Sequence, residues 1–324
     1  GQALSNATLS GGSASVAGTF AFTSPTTVPS AGTTSQVVIF IPTDSGNYTT
    51  ASANVSVTVS KAAAVLTWNN PASITYGTAL SGTQLNAVAS VNGTFSYTPV
   101  SGTVLGAGNQ TLSAVFTPSD VVNYNTANKT VVLAVTKAVP TISVVPTASG
   151  IAYGQSLSNA TLSGGSASVE GTFAYANPTT VPVAGTTSQV VIFTPTDSGN
   201  YTTASANVSV TVSKATPTIT TQPTATSITS GQTLAESTLS GGVASVAGNF
   251  AFTVPSTVLA VGTTQQSVTF TPSDSANYTT VTMNVSVSVS KATPLVTWNA
   301  PVAITYGTAL SGTQLNAVAS VNGT

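Results

Sequence analysis

TDSGNYTTASANVSVTVSKA, residues 196–215, occurs twice in this chain, letter for letter, the other copy being residues 43–62. Its second half decides the fold. Val208, Val210 and Val212 alternate with Ser209, Thr211 and Ser213, a period of two that sets valines on one face of a strand and hydroxyls on the other. The first half recurs with changes as SDVVNY at 119–124 and SDSANY at 273–278. Its tyrosines, Tyr48, Tyr124, Tyr201 and Tyr278, are spaced 76, 77 and 77 residues apart, and Lys61, Lys137, Lys214 and Lys291 keep the same steps. The 324 residues are therefore a tandem array whose unit, about 77 residues, is long enough to be a small domain.

Within one copy, 138–214, the pattern predicts strands at 141–145, 150–157, 160–168, 171–175, 179–183, 187–194 and 201–213. No stretch follows a 3.6-residue period, and Gly, Pro and Asn punctuate throughout. So many short strands in so few residues predict an all-β chain of sandwiches. The run TSQVVIF at 34–40 and 187–193, apolar and uncharged, reads as a central strand closed by Pro42 and Pro195. Repeat boundaries fall at 1–61 (partial), 62–138, 139–215, 216–292 and 293–324 (partial). The short junctions, stiffened by Pro140, Pro217 and Pro294, predict an extended, semi-rigid rod. The opening glycines Gly1, Gly77, Gly154, Gly231 and Gly307 place both chain ends inside a repeat, which predicts a longer parent protein. Two kinds of repeat can be told apart: residues 307–324 repeat 77–94 without change, and only this kind carries Trp68 and Trp298.

Composition removes whole classes of function. Five lysines, four aspartates and two glutamates are the only charged side chains, and there is no Arg, His or Cys. A tuned general base or nucleophile has almost no residue to draw on, so the chain is read as no enzyme, with no catalytic, cofactor or metal residues. Nucleic-acid binding needs clustered cations, which a net charge of −1 does not supply. No apolar run is long enough for a membrane span, so no membrane insertion is expected in this segment.

The pattern L-x-A-G-x-x-x-L-x-A-x-F-x-P-x-D-x-x-N-Y from Leu105 to Tyr124, closed by VLAVTK ending at Lys137, resembles the bacterial immunoglobulin-like repeats of large surface and secreted proteins. The opening TWNNP…ITYGTAL, residues 67–80, is similar to the mucin-binding-related repeats of such proteins. The resemblance implies an Ig-like β-sandwich in every copy and an extracellular or cell-surface location. It implies no particular binding site.

Asp44, Asp120, Asp197 and Asp274 each stand four residues before the repeat tyrosine. One aspartate per copy is too few for calcium, so the aspartates read as loop caps bonding nearby backbone N–H groups. Tyr48, Tyr124, Tyr201 and Tyr278 are expected to pin the same loops by burying their rings and bonding through their hydroxyls. Lys214, Asn200 and Asp197 also form the inventory of an intramolecular isopeptide bond, a chemistry that needs a buried carboxylate beside the pair; the competing reading of each lysine is an exposed charge at a strand end. Trp68 and Trp298 read as junction packing, the alternative being sugar-stacking platforms. Sequence thus points to a structural segment, a stalk or a fibre-forming element whose partner is another copy of itself. The alternative is an adhesin that binds glycan or a host or matrix surface through exposed loops.

Overall fold

The computed structural model describes residues 1–323. In the copy at 62–138, Gly108–Pro118 is the middle of three antiparallel strands, flanked by Gly93–Thr98 and Ala127–Thr136. A fourth, short strand, Ile74–Thr75, lies parallel against the outer edge of Ala127–Thr136, with Ile74 opposite Val135. The copy at 216–292 repeats this plan with Gly248–Phe252, Gly262–Pro272 and Val281–Ser290, and Ile228 stands opposite Val289. Between them the order is Ile151–Ala152, Ala204–Ser213, Gly185–Pro195, Gly171–Tyr175. In the first 61 residues the sheet has three strands, Gly18–Phe22, Gly32–Pro42 and Ala51–Val59.

The residues that open each copy supply the facing layer as short antiparallel pairs: Leu66–Thr67 with Val88–Ala89, Thr147–Ala148 with Leu162–Ser163, Thr224–Ala225 with Leu239–Ser240. An antiparallel sheet edged by one parallel strand, and covered by the strands that begin the repeat, is an immunoglobulin-like sandwich. The chain is a tandem array of such sandwiches. Period-two alternation fills each core: Val208, Val210 and Val212 are buried against Ile151 and Leu157, while the Ser and Thr between them face water. Burying a valine side chain is worth roughly 1.5–3 kcal/mol, so this one strand supplies much of its sandwich's apolar stabilisation. Phe116, Phe193 and Phe270 sit near the closing prolines of the long middle strands and are fully buried. The partner strand must begin on glycine, because a Cβ on Gly93 would run into the Phe116 ring.

TSQVVIF is central as expected, with Val38, Phe40, Val191 and Phe193 inward. Three expected strands are shorter or absent. The stretch 179–183 is irregular, with Val181 and Val183 about half exposed. At 150–157 pairing stops after Ala152, because Gly154 takes φ 92° and the chain turns into the 3-10 turn Leu157–Asn159. At 160–168 the strand splits into Leu162–Ser163 and Ser166–Ala167 around Gly164 and Gly165, both at positive φ.

By contact, the chain forms two compact units, one of Gly1–Thr141, Ala167–Thr172 and Thr194–Ala204, the other of the remaining residues. The Asp-containing loop at 194–204 thus belongs with residues well before it in sequence, and its chemistry shows why.

Candidate functional site

Each Asp-x-x-Asn-Tyr loop after the first closes on the copy before it. In the loop at 120–124, the two oxygens of Asp120 accept from the Asn123 backbone N–H at 3.1 Å and from its side-chain amide at 2.8 Å. The carboxylate thus bonds the backbone and the side chain of its own loop. With its Nδ2 tied down, Asn123 has its Oδ1 free to face outward, where it accepts from the Ala31 backbone N–H at 2.8 Å. The Asn123 backbone carbonyl accepts from the Ala62 N–H at 2.8 Å, and Tyr124–Asn125 pairs in parallel with Ala62–Ala63. Lys61 closes the contact by donating from Nζ to the Val121 carbonyl at 2.7 Å.

The same four bonds recur at the next junction. Asn200 donates to Asp197 at 2.9 Å and accepts from Ala107 N–H at 2.8 Å; Ala138 N–H donates to the Asn200 carbonyl at 2.9 Å, and Lys137 to the Ser198 carbonyl at 2.6 Å. They recur again with Asn277, which donates to Asp274 and accepts from Ala184 N–H, while Ala215 N–H donates to the Asn277 carbonyl and Lys214 to the Ser275 carbonyl. The donating Ala N–H is presented by a turn that continues into Gly32, Gly108 or Gly185, at φ 123°, 119° and 118°, a region only glycine enters freely. Two of the junctions add a ring pair. Tyr76 meets Tyr201 edge-on with centroids 5.3 Å apart, and Tyr153 meets Tyr278 likewise. Such a pair adds about 0.5–1.5 kcal/mol beyond the area it buries.

Hydrogen bonds favour the charged form of Asp44, Asp120 and Asp197. The Asn200 side-chain amide, followed by backbone N–H groups, keeps the Asp197 carboxyl below its ordinary value, and Lys137 adds a smaller pull. The Asn123 amide does the same for Asp120, and the Asn47 amide for Asp44.

Several sequence readings change here. Tyr201 and Tyr278, expected to pin their own loops, meet Tyr76 and Tyr153 of the preceding copy across the junction. Tyr48 remains half exposed. The isopeptide reading fails on chemistry: Lys214 donates to Ser275, Asn200 is committed to Asp197 and Ala107, and Asp197 is exposed where a buried carboxylate is required. Trp68 is buried, donates from Nε1 to the Gln84 carbonyl at 3.0 Å and packs edge-on against Tyr97, so it is packing and no sugar platform. Trp298 makes the matching bond to Gln314 but lies 56% exposed. Sequence reasoning missed Asn123, Asn200 and Asn277 as the residues that join copies. Their signal was an asparagine three positions after the aspartate in every copy.

Among the described residues no three His, Cys, Asp or Glu side chains gather where a metal could sit. No helix among them is long and apolar enough to cross a membrane.

No family model and no curated protein matches the chain. Among solved structures it is similar to immunoglobulin domains 1–5 of Sidekick-1, at TM-score 0.28 and 10% identity, over 85% of this chain and 74% of that one. It is also similar to a three-Ig structure of titin domains I67–I69, an E-to-A variant, at TM-score 0.31 and 8% identity, over 71% of this chain and 99% of that one. A third is a SusE-like surface-located polysaccharide-binding protein of Bacteroides thetaiotaomicron, at TM-score 0.20 and 11% identity, over 83% of this chain and 64% of that one. The immunoglobulin-like assignment rests on the strand order and register of the chain itself.

Proposed function

We propose that the chain is a mechanical spacer of an extracellular or cell-surface protein, a stalk in which the Asp–Asn clasp braces three successive junctions. The observation that carries this reading is the recurrence of one set of bonds, Asn123 with Ala31, Asn200 with Ala107 and Asn277 with Ala184, at three junctions whose sequences otherwise differ. Domains joined by short linkers move independently by default unless an interface holds them. Here the linker residue is itself paired into the next loop, so bending a junction breaks backbone bonds as well as the side-chain bracket. The scarcity of charge suits a spacer, since few groups respond to pH or salt. A glycan-binding adhesin is the competing reading; in the copy at 62–138 the buried Trp68 offers it no stacking surface.

The test is small-angle X-ray scattering of dilute monomer, comparing the native chain with the triple variant Asn123→Ala, Asn200→Ala, Asn277→Ala. The native chain is expected to give one narrow maximum dimension. The variant, with its sandwiches intact by circular dichroism, is expected to give a broadened distribution. A native chain already as broad as the variant would overturn the reading.

A further inference from the structure

At each clasp the asparagine is followed directly by a tyrosine, Tyr124, Tyr201 or Tyr278. The last two meet a second phenol, and the two pairs are near copies of one another. Centroids stand 5.3 Å apart in both, with ring planes at 81° for Tyr76 and Tyr201 and at 84° for Tyr153 and Tyr278. Each pair joins the opening segment of one copy to the loop of the next. The linker places the loop ring: Ala138 donates to the Asn200 carbonyl and accepts from the Thr202 N–H, both at 2.9 Å, which holds the backbone on either side of Tyr201. Ala215 holds Tyr278 in the same way, between Asn277 and Thr279. All four rings are partly exposed, within reach of an oxidant in solution. Among the described residues the tyrosine hydroxyl bonded within the protein is that of Tyr97, whose aromatic neighbours are Trp68 and Phe95. Ring packing at the junctions would be met equally by phenylalanine.

We infer that each junction pair is a site of oxidative cross-linking, at which Tyr76 couples to Tyr201 and Tyr153 to Tyr278 as dityrosine. The oxidant is hydrogen peroxide acting through a one-electron catalyst of the haem-peroxidase class. Each phenol gives up one electron and its hydroxyl proton, and the pair together reduces one peroxide to two waters. The two phenoxyl radicals then form a carbon–carbon bond between ring positions beside the hydroxyls. The protons on those carbons move to the oxygens and restore both phenols, so the linked pair is lighter by two hydrogen atoms. Because the rings already touch, coupling calls for side-chain rotation and no change of strand register.

Nine tyrosines stand against two tryptophans, one methionine and no cysteine, which makes phenols the chain's main oxidisable groups. Groups held in contact react as if at very high concentration, so in dilute solution the bond forms within one chain. It converts a junction held by hydrogen bonds into one that stays closed when those bonds open under load. The inference deepens the spacer reading and rests on it, since only a junction of set geometry keeps the two rings paired.

The test treats dilute native chain with a haem peroxidase and limiting hydrogen peroxide, then cleaves it after lysine with trypsin. Cleavage leaves Tyr76 in fragment 62–129, Tyr153 and Tyr201 in 138–214, and Tyr278 in 215–291. The oxidised protein is expected to run as a monomer of 31.9 kDa. It is expected to yield 62–129 joined to 138–214, and 138–214 joined to 215–291, each product lighter by two hydrogens than its parts. Tyr201→Phe is expected to remove the first link and keep the second, and Tyr278→Phe the reverse. Asn200→Ala loosens one clasp and leaves the other as an internal standard, so the first link is expected to fall about tenfold relative to the second. No link, links only between chains, or links scattered over Tyr97, Tyr124 and Tyr175 would overturn the inference, as would an unchanged ratio in the Asn200→Ala variant. A native chain that is stiff in dilute scattering but stays unlinked keeps the spacer reading and overturns this one.

Discussion

The copies at 62–138 and 139–215 have the same sheet and close it differently. The first covers its core with Trp68, whose indole N–H reaches the Gln84 carbonyl, and with Tyr97, whose hydroxyl accepts from the Ala87 N–H at 3.0 Å. Gln84 in turn accepts from both the Ser81 N–H and its hydroxyl, so the polar atoms brought in by large aromatics are all met. The second copy has the 3-10 turn Leu157–Asn159 and small residues over the same ground. Its Tyr175 occupies the place of Tyr97, but the hydroxyl is buried without a partner among the described residues, and burial pushes its pKa up. In the remaining copies the place is held by Phe22 and Phe252, which have no hydroxyl to satisfy. An aromatic with a polar tip stabilises a small sandwich only when the opposite layer brings a donor or acceptor to that tip.

The largest test of this contrast is Trp68→Ala. Emptying the space of a buried indole costs about 3–5 kcal/mol, so hydrogen exchange read by mass spectrometry is expected to accelerate strongly across 62–138. Equal protection in variant and native protein would mean that the aromatic cover is dispensable. Next comes a pair of identical changes with opposite signs. Tyr97→Phe leaves the Ala87 N–H without its acceptor and is expected to destabilise its sandwich by about 1–3 kcal/mol. Tyr175→Phe removes an unmet hydroxyl and is expected to stabilise by about 1 kcal/mol. Loss of protection in both would show that Tyr175 has a bond the comparison denies it.

The smallest effect is one in which the two copies should agree. The loop carboxylates Asp120 and Asp197 have folded pKa values lowered chiefly by the asparagine amides. A lowered value adds stability above the unfolded pKa and loses it as pH falls through the folded one. Melting is therefore expected to be flat between about pH 5 and 9 and to drop only in strong acid. Because both groups lie at the surface, the drop should be slight and shared by the two copies. A transition near neutrality in either would contradict the clasp chemistry.

Sequence made the long strands legible because alternation along ANVSVTVS and TSQVVIF is strong and local. It misread 179–183, where threonine and valine gave strand propensity but Pro178 lies in a turn and the backbone partners are Leu157 and Ser158 of a 3-10 turn rather than a strand. The aspartate cap was legible for the same local reason, its bonds spanning only three residues. The bracket was not: Asn200 meets Ala107, 93 residues earlier. A reading confined to one copy sees an asparagine in a loop; only the placement of two copies shows what its outward oxygen does.

The short parallel strand at the start of each sandwich has one more consequence. In the fourth copy Ile228–Thr229, which follows the short paired strands Ile219–Thr221 and Thr224–Ala225, lies beside the far end of Val281–Ser290, by which the chain leaves, and the two strands point the same way. Tension applied through the chain therefore slides these strands past one another. Their hydrogen bonds must break together under shear, whereas an antiparallel edge would unzip one bond at a time.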